Sequence, residues 1–224
     1  MTMLHIKTAR ILEAFPEETL KAVRLSCGLR RADRLTAMAA AAVRDALPDG
    51  FPHALPPETG LLTVSSYGPH KTVFAMLDDI LDYPEDQILP TKFTHSVHNA
   101  VTSYLGTLLG LHGPAFALTT FESPVLDLLE TAETLLAGGL CGQVLAVAVE
   151  ERGLLTAEAT QMCPDLVPSE PREAAAVFLA DGDGGGFELD LTAARRLPCQ
   201  TETPFNLPKD LLETIRAQAL HARP

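Results

Sequence analysis

The sequence contains no tryptophan, and aromatic residues make up only 5% of its 224 positions. A core must therefore be built mostly from Ala, Leu and Val, which the 46% hydrophobic share supplies. Basic residues are also scarce. There are 17 Lys and Arg against 29 Asp and Glu, giving a formal net charge of −12. That balance argues against nucleic acid and anionic membrane surfaces as partners, since both select clustered cations. Only four cysteines occur (Cys27, Cys141, Cys163 and Cys199), with no C-x-x-C spacing, so neither a zinc site nor a disulfide framework is predicted. No long apolar run is present. The longest, around residues 135–149, is interrupted by Gly and Gln and is too short for a bilayer span. The opening MTMLHIKTAR lacks the apolar stretch of a signal peptide. The expectation is a cytoplasmic protein with one main domain.

What is present is an alternation of helical and strand patterns. Residues 33–47 predict an Ala-rich helix with Leu35, Met38, Ala39, Ala42, Val43 and Ala46 on one narrow face, ended by Pro48 and Gly50. Residues 60–65 predict a buried strand. Residues 70–82 predict a helix with Val73, Met76, Leu77 and Ile80 inward, then a loop over 83–93. The stretch 94–111 reads as one helix stopped by Gly110 and Gly113–Pro114. AFALTT, 115–120, reads as a short strand, and Ser123–Pro124 as the N-cap and first position of the next helix. That helix carries Val125, Leu128, Leu129, Ala132, Leu135 and Leu136 at helical spacing and ends at Gly138–Gly139. QVLAVAV, 143–149, and EAAAVFLA, 173–180, are continuous apolar runs suited to strands covered on both faces. The stretch 153–172 reads as irregular. FELDL follows the DGDGGG turn and suggests a hairpin with 173–180. A Pro-containing linker begins at 198, and 209–220 reads as a terminal amphipathic helix. The prediction is an α/β fold with a mixed five-stranded sheet between helix layers and a C-terminal helix. Residues 1–197 form one domain on this reading, and 198–224 the linker and last helix.

Local chemistry is thin. DGDGGG lacks the G-K-[ST] of a phosphate loop and reads as a turn. His95 and His98, with Asn99 beside them, share a helical spacing but lack further ligands for a metal. No cysteine has an evident local base. Glu122 stands apart by its place. It lies at a strand end immediately before the N-cap of an apolar helix, where the helix dipole is positive. A cysteine at such a place is activated, whereas a carboxylate is simply stabilised as an anion.

Several segments, collinear over residues 30–180, resemble the N-terminal half of ketoacyl synthases, a thiolase-fold family. They are LRRADRLTAMAAAAVRDAL, TGLLTVSSYGP, LPTKFTHSVHNAVTSYLGTLLGLHGPAFALTT, FESPVLDLLETAETLLAGG, QVLAVAVEE and PREAAAVFLA. The landmarks are P-x-x-F, SVHNA (with His98 and Asn99 as structural members) and GPA. The resemblance implies a thiolase-like half. Counted from Gly113–Pro114–Ala115, it also puts Glu122 at the position of the condensing cysteine. In that family the catalytic histidines and lysine come from a second half of similar size, beyond what this sequence holds. The resemblance therefore implies no catalytic residue here, no cofactor and no metal.

The implied role is that of a chain-length-factor-like subunit of a type II polyketide system, of the kind that makes aryl polyenes. Such a subunit forms a heterodimer with a ketoacyl synthase through the strand 115–120. Ala115, Phe116, Ala117, Leu118, Thr119, Thr120, Phe121 and Ser123 would line the seam and the partner's acyl tunnel. Acyl carrier proteins are acidic, so docking is expected mainly on the partner, with the cluster Arg24, Arg30, Arg31, Arg34 and Arg44 as a weak exception. Two alternatives stand beside this: a thioester hydrolase or decarboxylase using Glu122 as a base, and a homodimeric carrier-binding scaffold.

Overall fold

The computed structural model describes residues 3–29, 31–47, 49–88, 90–164, 172–184, 186–200 and 203–221. In chain order the elements are β1 (Met3–Leu12), α1 (Glu17–Ser26), α2 (Arg34–Ala46), β2 (Gly60–Val64), α3 (His70–Asp82), α4 (Pro90–His95), α5 (Ala100–Leu109) and β3 (Ala115–Leu118). Then follow α6 (Pro124–Ala137), β4 (Gln143–Glu150), α7 (Leu154–Met162), β5 (Ala174–Asp181), β6 (Phe187–Asp190), α8 (Leu191–Arg196) and α9 (Lys209–His221).

One mixed sheet runs in the order β3-β2-β4-β5-β1-β6. β2 is parallel to β3 and β4, while β5 is antiparallel to both β4 and β1. β4 and β5 alternate perfectly between two cores. Leu145, Val147, Val149, Ala175, Val177 and Leu179 face the α1, α2 and α5 layer. Val144, Ala146, Ala148, Ala176, Phe178 and Ala180 face α6, α8 and α9. A strand apolar at every position must be covered on both sides, and these two are. α2 is buried around most of its circumference, from Leu35 to Val43. Its run of alanines lets neighbours approach on every side.

The α/β layering of the sequence reading holds, and all five expected strands are present. The sheet has a sixth, β1, because MLHIKTARIL changes face part-way along and so shows no clean alternation. β1 also overturns the expected hairpin. It lies between β5 and β6, pairing with each, so FELDL does not pair with the strand 173–180.

Three helix readings change as well. The stretch 94–111 is not one helix. α4 ends at His95, and α5 starts afresh after Asn99 at its N-cap position. The loop 83–93 holds the start of α4, and the irregular stretch 153–172 holds α7; residues 165–171 lie outside the described residues. α3 has the expected bounds but not the expected inward face. His70 is its only buried residue, and Leu77 and Ile80 are 43% and 49% exposed.

Candidate functional site

The C-terminal ends of the parallel strands β2, β3 and β4 lie together, the usual place for function in an open α/β sheet. The turn after β3 carries Thr119 to Ser123 to the start of α6. Ser123 occupies the N-cap and Pro124 the first helical position. The expected cap bond is not made. The Ser123 hydroxyl instead sits 3.2 Å from the Sγ of Cys199, brought in from beyond α8. Asn206 donates from its amide to the carbonyls of Phe121 (3.2 Å) and Glu122 (3.3 Å). It does so from a left-handed backbone conformation, φ 55°, which Asn tolerates better than most residues. Glu122 itself is exposed.

The other side of the turn is held from β2. The Ser66 hydroxyl donates to the Thr120 carbonyl at 2.7 Å. Ser66 in turn is fixed by Glu150, the last residue of β4, which accepts its N–H at 2.7 Å and the Ser65 hydroxyl at 3.2 and 3.3 Å. The Gly68 N–H closes the loop onto the Ser65 oxygen. Next along, Glu151 accepts the Lys71 N–H at 3.0 Å, and its carboxylate lies 3.8 Å from His70 Nδ1. Tyr67 meets Phe121 edge-on, with ring centres 5.6 Å apart.

This is a buried acidic knot. Loss of water pushes Glu150 up to about 8, against the hydrogen bonds from Ser66 and Ser65 that favour its charge. Burial likewise pushes Glu151 up to about 7, with the Asp33 carboxylate adding to it. Burial pushes His70 down, toward the neutral imidazole.

The sequence-derived residues fall as follows. Ala115 to Leu118 form β3, which is an edge strand paired only with β2. Ala115 and Thr119 are exposed, Phe116 is 48% and Phe121 52% exposed, and Thr120 is half-buried. His95 and His98 do not converge. His95 stacks on Tyr104, whose hydroxyl lies 3.1 Å from His95 Nε2, while the His98 ring lies over Gly68. Of the arginine cluster, Arg24 and Arg34 are paired to Glu17 at 2.8 and 2.9 Å, and Arg34 also to Glu173 at 2.6 Å. Arg30 lies outside the described residues.

Sequence reading missed Glu150, Glu151, Ser65, Ser66, His70, Cys199 and Asn206. Only the glutamate pair carried a signal, two carboxylates directly after a seven-residue apolar strand. The others come from segments far apart in the chain.

With this geometry in view, the model of the beta-ketoacyl synthase N-terminal domain matches residues 24–187, and the chain belongs to that family. No curated protein matches the sequence. Solved structures do. A chain titled the ishigamide ketosynthase/chain length factor superposes with a TM-score of 0.64 at 17% identity, over 81% of this chain and 62% of that one. A chain from the ketosynthase ApeO in complex with its chain length factor ApeC, from Xenorhabdus doucetiae, gives 0.60 at 17% identity, over 98% and 92%. A chain from the AntDE:AntF complex, a type II acyl-carrier protein with its ketosynthase, gives 0.63 at 13% identity, over 80% and 63%. The protein thus spans less than two thirds of the first and last of these chains and nearly all of the one from the ApeO–ApeC complex. At these identities the likeness is one of fold, the thiolase-like ketosynthase fold. No helix among the described residues is long and apolar enough to cross a membrane.

Proposed function

We propose that this chain is a non-condensing, ketoacyl-synthase-like subunit that pairs with an active ketoacyl synthase and shapes its acyl tunnel, as a chain length factor does. The observation that carries the reading is the carboxylate of Glu122 directly before the N-cap of α6, at the end of an edge strand. The family's chemistry needs a thiolate there to hold the acyl group as a thioester, and a carboxylate does not form that intermediate.

The edge supports the pairing half of the proposal. β3 presents unpaired backbone groups along one side, and such an edge invites a partner strand. Phe116 and Phe121 add exposed aromatic surface at the same rim. Bulk at Phe121 would limit the length of chain a partner's tunnel accepts, by steric exclusion. The near end-to-end superposition on a chain from the ApeO–ApeC complex, a ketosynthase with its chain length factor, supports the pairing with a synthase. Carrier docking belongs to the partner on this reading. Of the arginine cluster, Arg24 and Arg34 are already engaged by Glu17, and Arg34 also by Glu173.

The alternative of Glu122 as a general base has less support. Its side chain is exposed, which withholds the water-poor surroundings such chemistry uses. Co-expression with an active ketoacyl synthase from the same organism decides the matter. A stable one-to-one complex whose product survives Glu122→Ala is the expected result. A homodimer that ignores the synthase, or thioester turnover by this chain alone that Glu122→Gln abolishes, would overturn it.

A further inference from the structure

β1 changes face at a bulge. Its register against β5 slips between Ile6 and Thr8. One extra residue shifts the side-chain alternation by one place. Leu4 and Ile6 before the bulge, and Ala9 and Ile11 after it, thereby face the α6 and α9 layer. Thr8, Arg10 and Leu12 turn instead toward α2. The bulge thus sets a guanidinium on the α2 side of the sheet, beside Leu12 and Leu179.

Arg10 is only 9% exposed. Among the described residues its Nη1 donates to the Ala9 carbonyl at 3.1 Å. Its Nε lies 3.9 Å from the Asp45 carboxylate, beyond hydrogen-bond distance. A guanidinium has five N–H donors, and most of this one's are left for something else. Arg10 borders a cavity of about 860 Å³, within the range of small-molecule sites. Leu12, Phe15, Ala41, Leu47, Leu55 and Leu179 supply its apolar walls, and Arg44, Asp45 and Asp49 also line it. Gln143, the first residue of β4, marks its place. The cavity is therefore at the opposite end of β4 from Glu150 and the Glu122 turn.

We infer that this cavity is a binding site for a small aliphatic monocarboxylate, its head on Arg10 and its body along Leu12, Phe15, Leu55 and Leu179. The two aspartates balance the two arginines, which disfavours a multiply charged anion and suits a single carboxylate. A charge-assisted contact to a largely desolvated guanidinium supplies the selectivity for the head, and the apolar walls supply affinity for the body. The site does not depend on the pairing proposed above.

The test is a titration of the purified chain with octanoate, octanol and acetate, followed by calorimetry and by backbone amide NMR. Octanoate should saturate one site and shift the amides of Thr8 and Gln143. Octanol and acetate should each bind at least about tenfold more weakly, and Arg10→Gln should cost octanoate a similar factor. Octanol binding as tightly as octanoate, shifts that map elsewhere, no saturation by about 10 mM, or an unchanged affinity in a folded Arg10→Gln protein would each overturn the assignment. The octanoate–octanol contrast and the NMR map use the wild-type chain, so they decide even if the variant does not fold.

Discussion

Glu150 is a carboxyl group at 4% exposure whose neighbours are nearly all donors. It and Glu151 ionise near 4.5 in an unfolded chain and near 8 and 7 in the folded one. Between those values the folded state holds protons that the unfolded state has released. Their stabilising contribution is complete below about 4.5 and lost as pH rises through 7 to 8. His70 works in the opposite sense. Its neutral form is the buried one, so its contribution is complete above 6.5 and fades as pH falls. Urea denaturation should therefore show stability declining from pH 6 to pH 8.5. Glu150→Gln should flatten that decline, because an amide does not titrate, while costing about 1–3 kcal/mol at pH 6 for the additional buried N–H donor it brings among groups that already donate. In the neighbouring turn after β3, Glu122→Cys should yield no condensing activity from this chain alone, measured with an acyl-carrier thioester and extender unit. Condensation by the single variant would count against the proposed role.

The edge strand β3 and the helices around it set the next scale. Phe116 is exposed, so Phe116→Asp should leave the unfolding free energy of the isolated chain unchanged within about 0.5 kcal/mol. In pull-down with the synthase it should abolish the complex. Gly113, which leads into β3, has no room for a side chain. A Cβ there would sit 2.4 Å from the backbone oxygens of Glu58 and Thr59. Gly113→Ala should cost at least about 1–3 kcal/mol by forcing that loop apart. The elements most legible in the sequence were β4, β5 and α6, whose apolar runs report burial that this chain itself provides. α3 was legible as a helix and misleading as a packing statement. Its periodicity says that one face seeks cover, and Leu77 and Ile80 show that this chain leaves it uncovered. β1 was illegible because its bulge breaks the alternation that would have revealed it. The acidic knot was only half legible, because Ser65 and Ser66 reach Glu150 across 85 and 84 positions of sequence.

Across the whole molecule, the sheet divides two cores and places two different features at its opposite ends. At one end the turn after β3 is clamped by Ser66 and Asn206 beside an exposed edge. At the other a buried arginine waits below α2. α9 buries Leu211, Leu212 and Ile215 in the same cluster as α6, so the tail segment takes part in the body of the fold. Leu212→Asp should therefore lower the denaturation midpoint of the entire chain in a single transition, rather than fray the last helix alone.

The position of β1 between β5 and β6 also has a consequence in time. β1 leaves the ribosome long before its sheet neighbours, which exist only when Ala174 to Asp190 have followed it. At roughly 5–20 residues per second, that is a wait of about ten to forty seconds. Throughout it the apolar side chains of Leu4, Ile6 and Ala9 have no sheet to join. Stalled nascent chains ending near residue 172 should be degraded readily by added protease, and chains extended well past residue 190 should resist it.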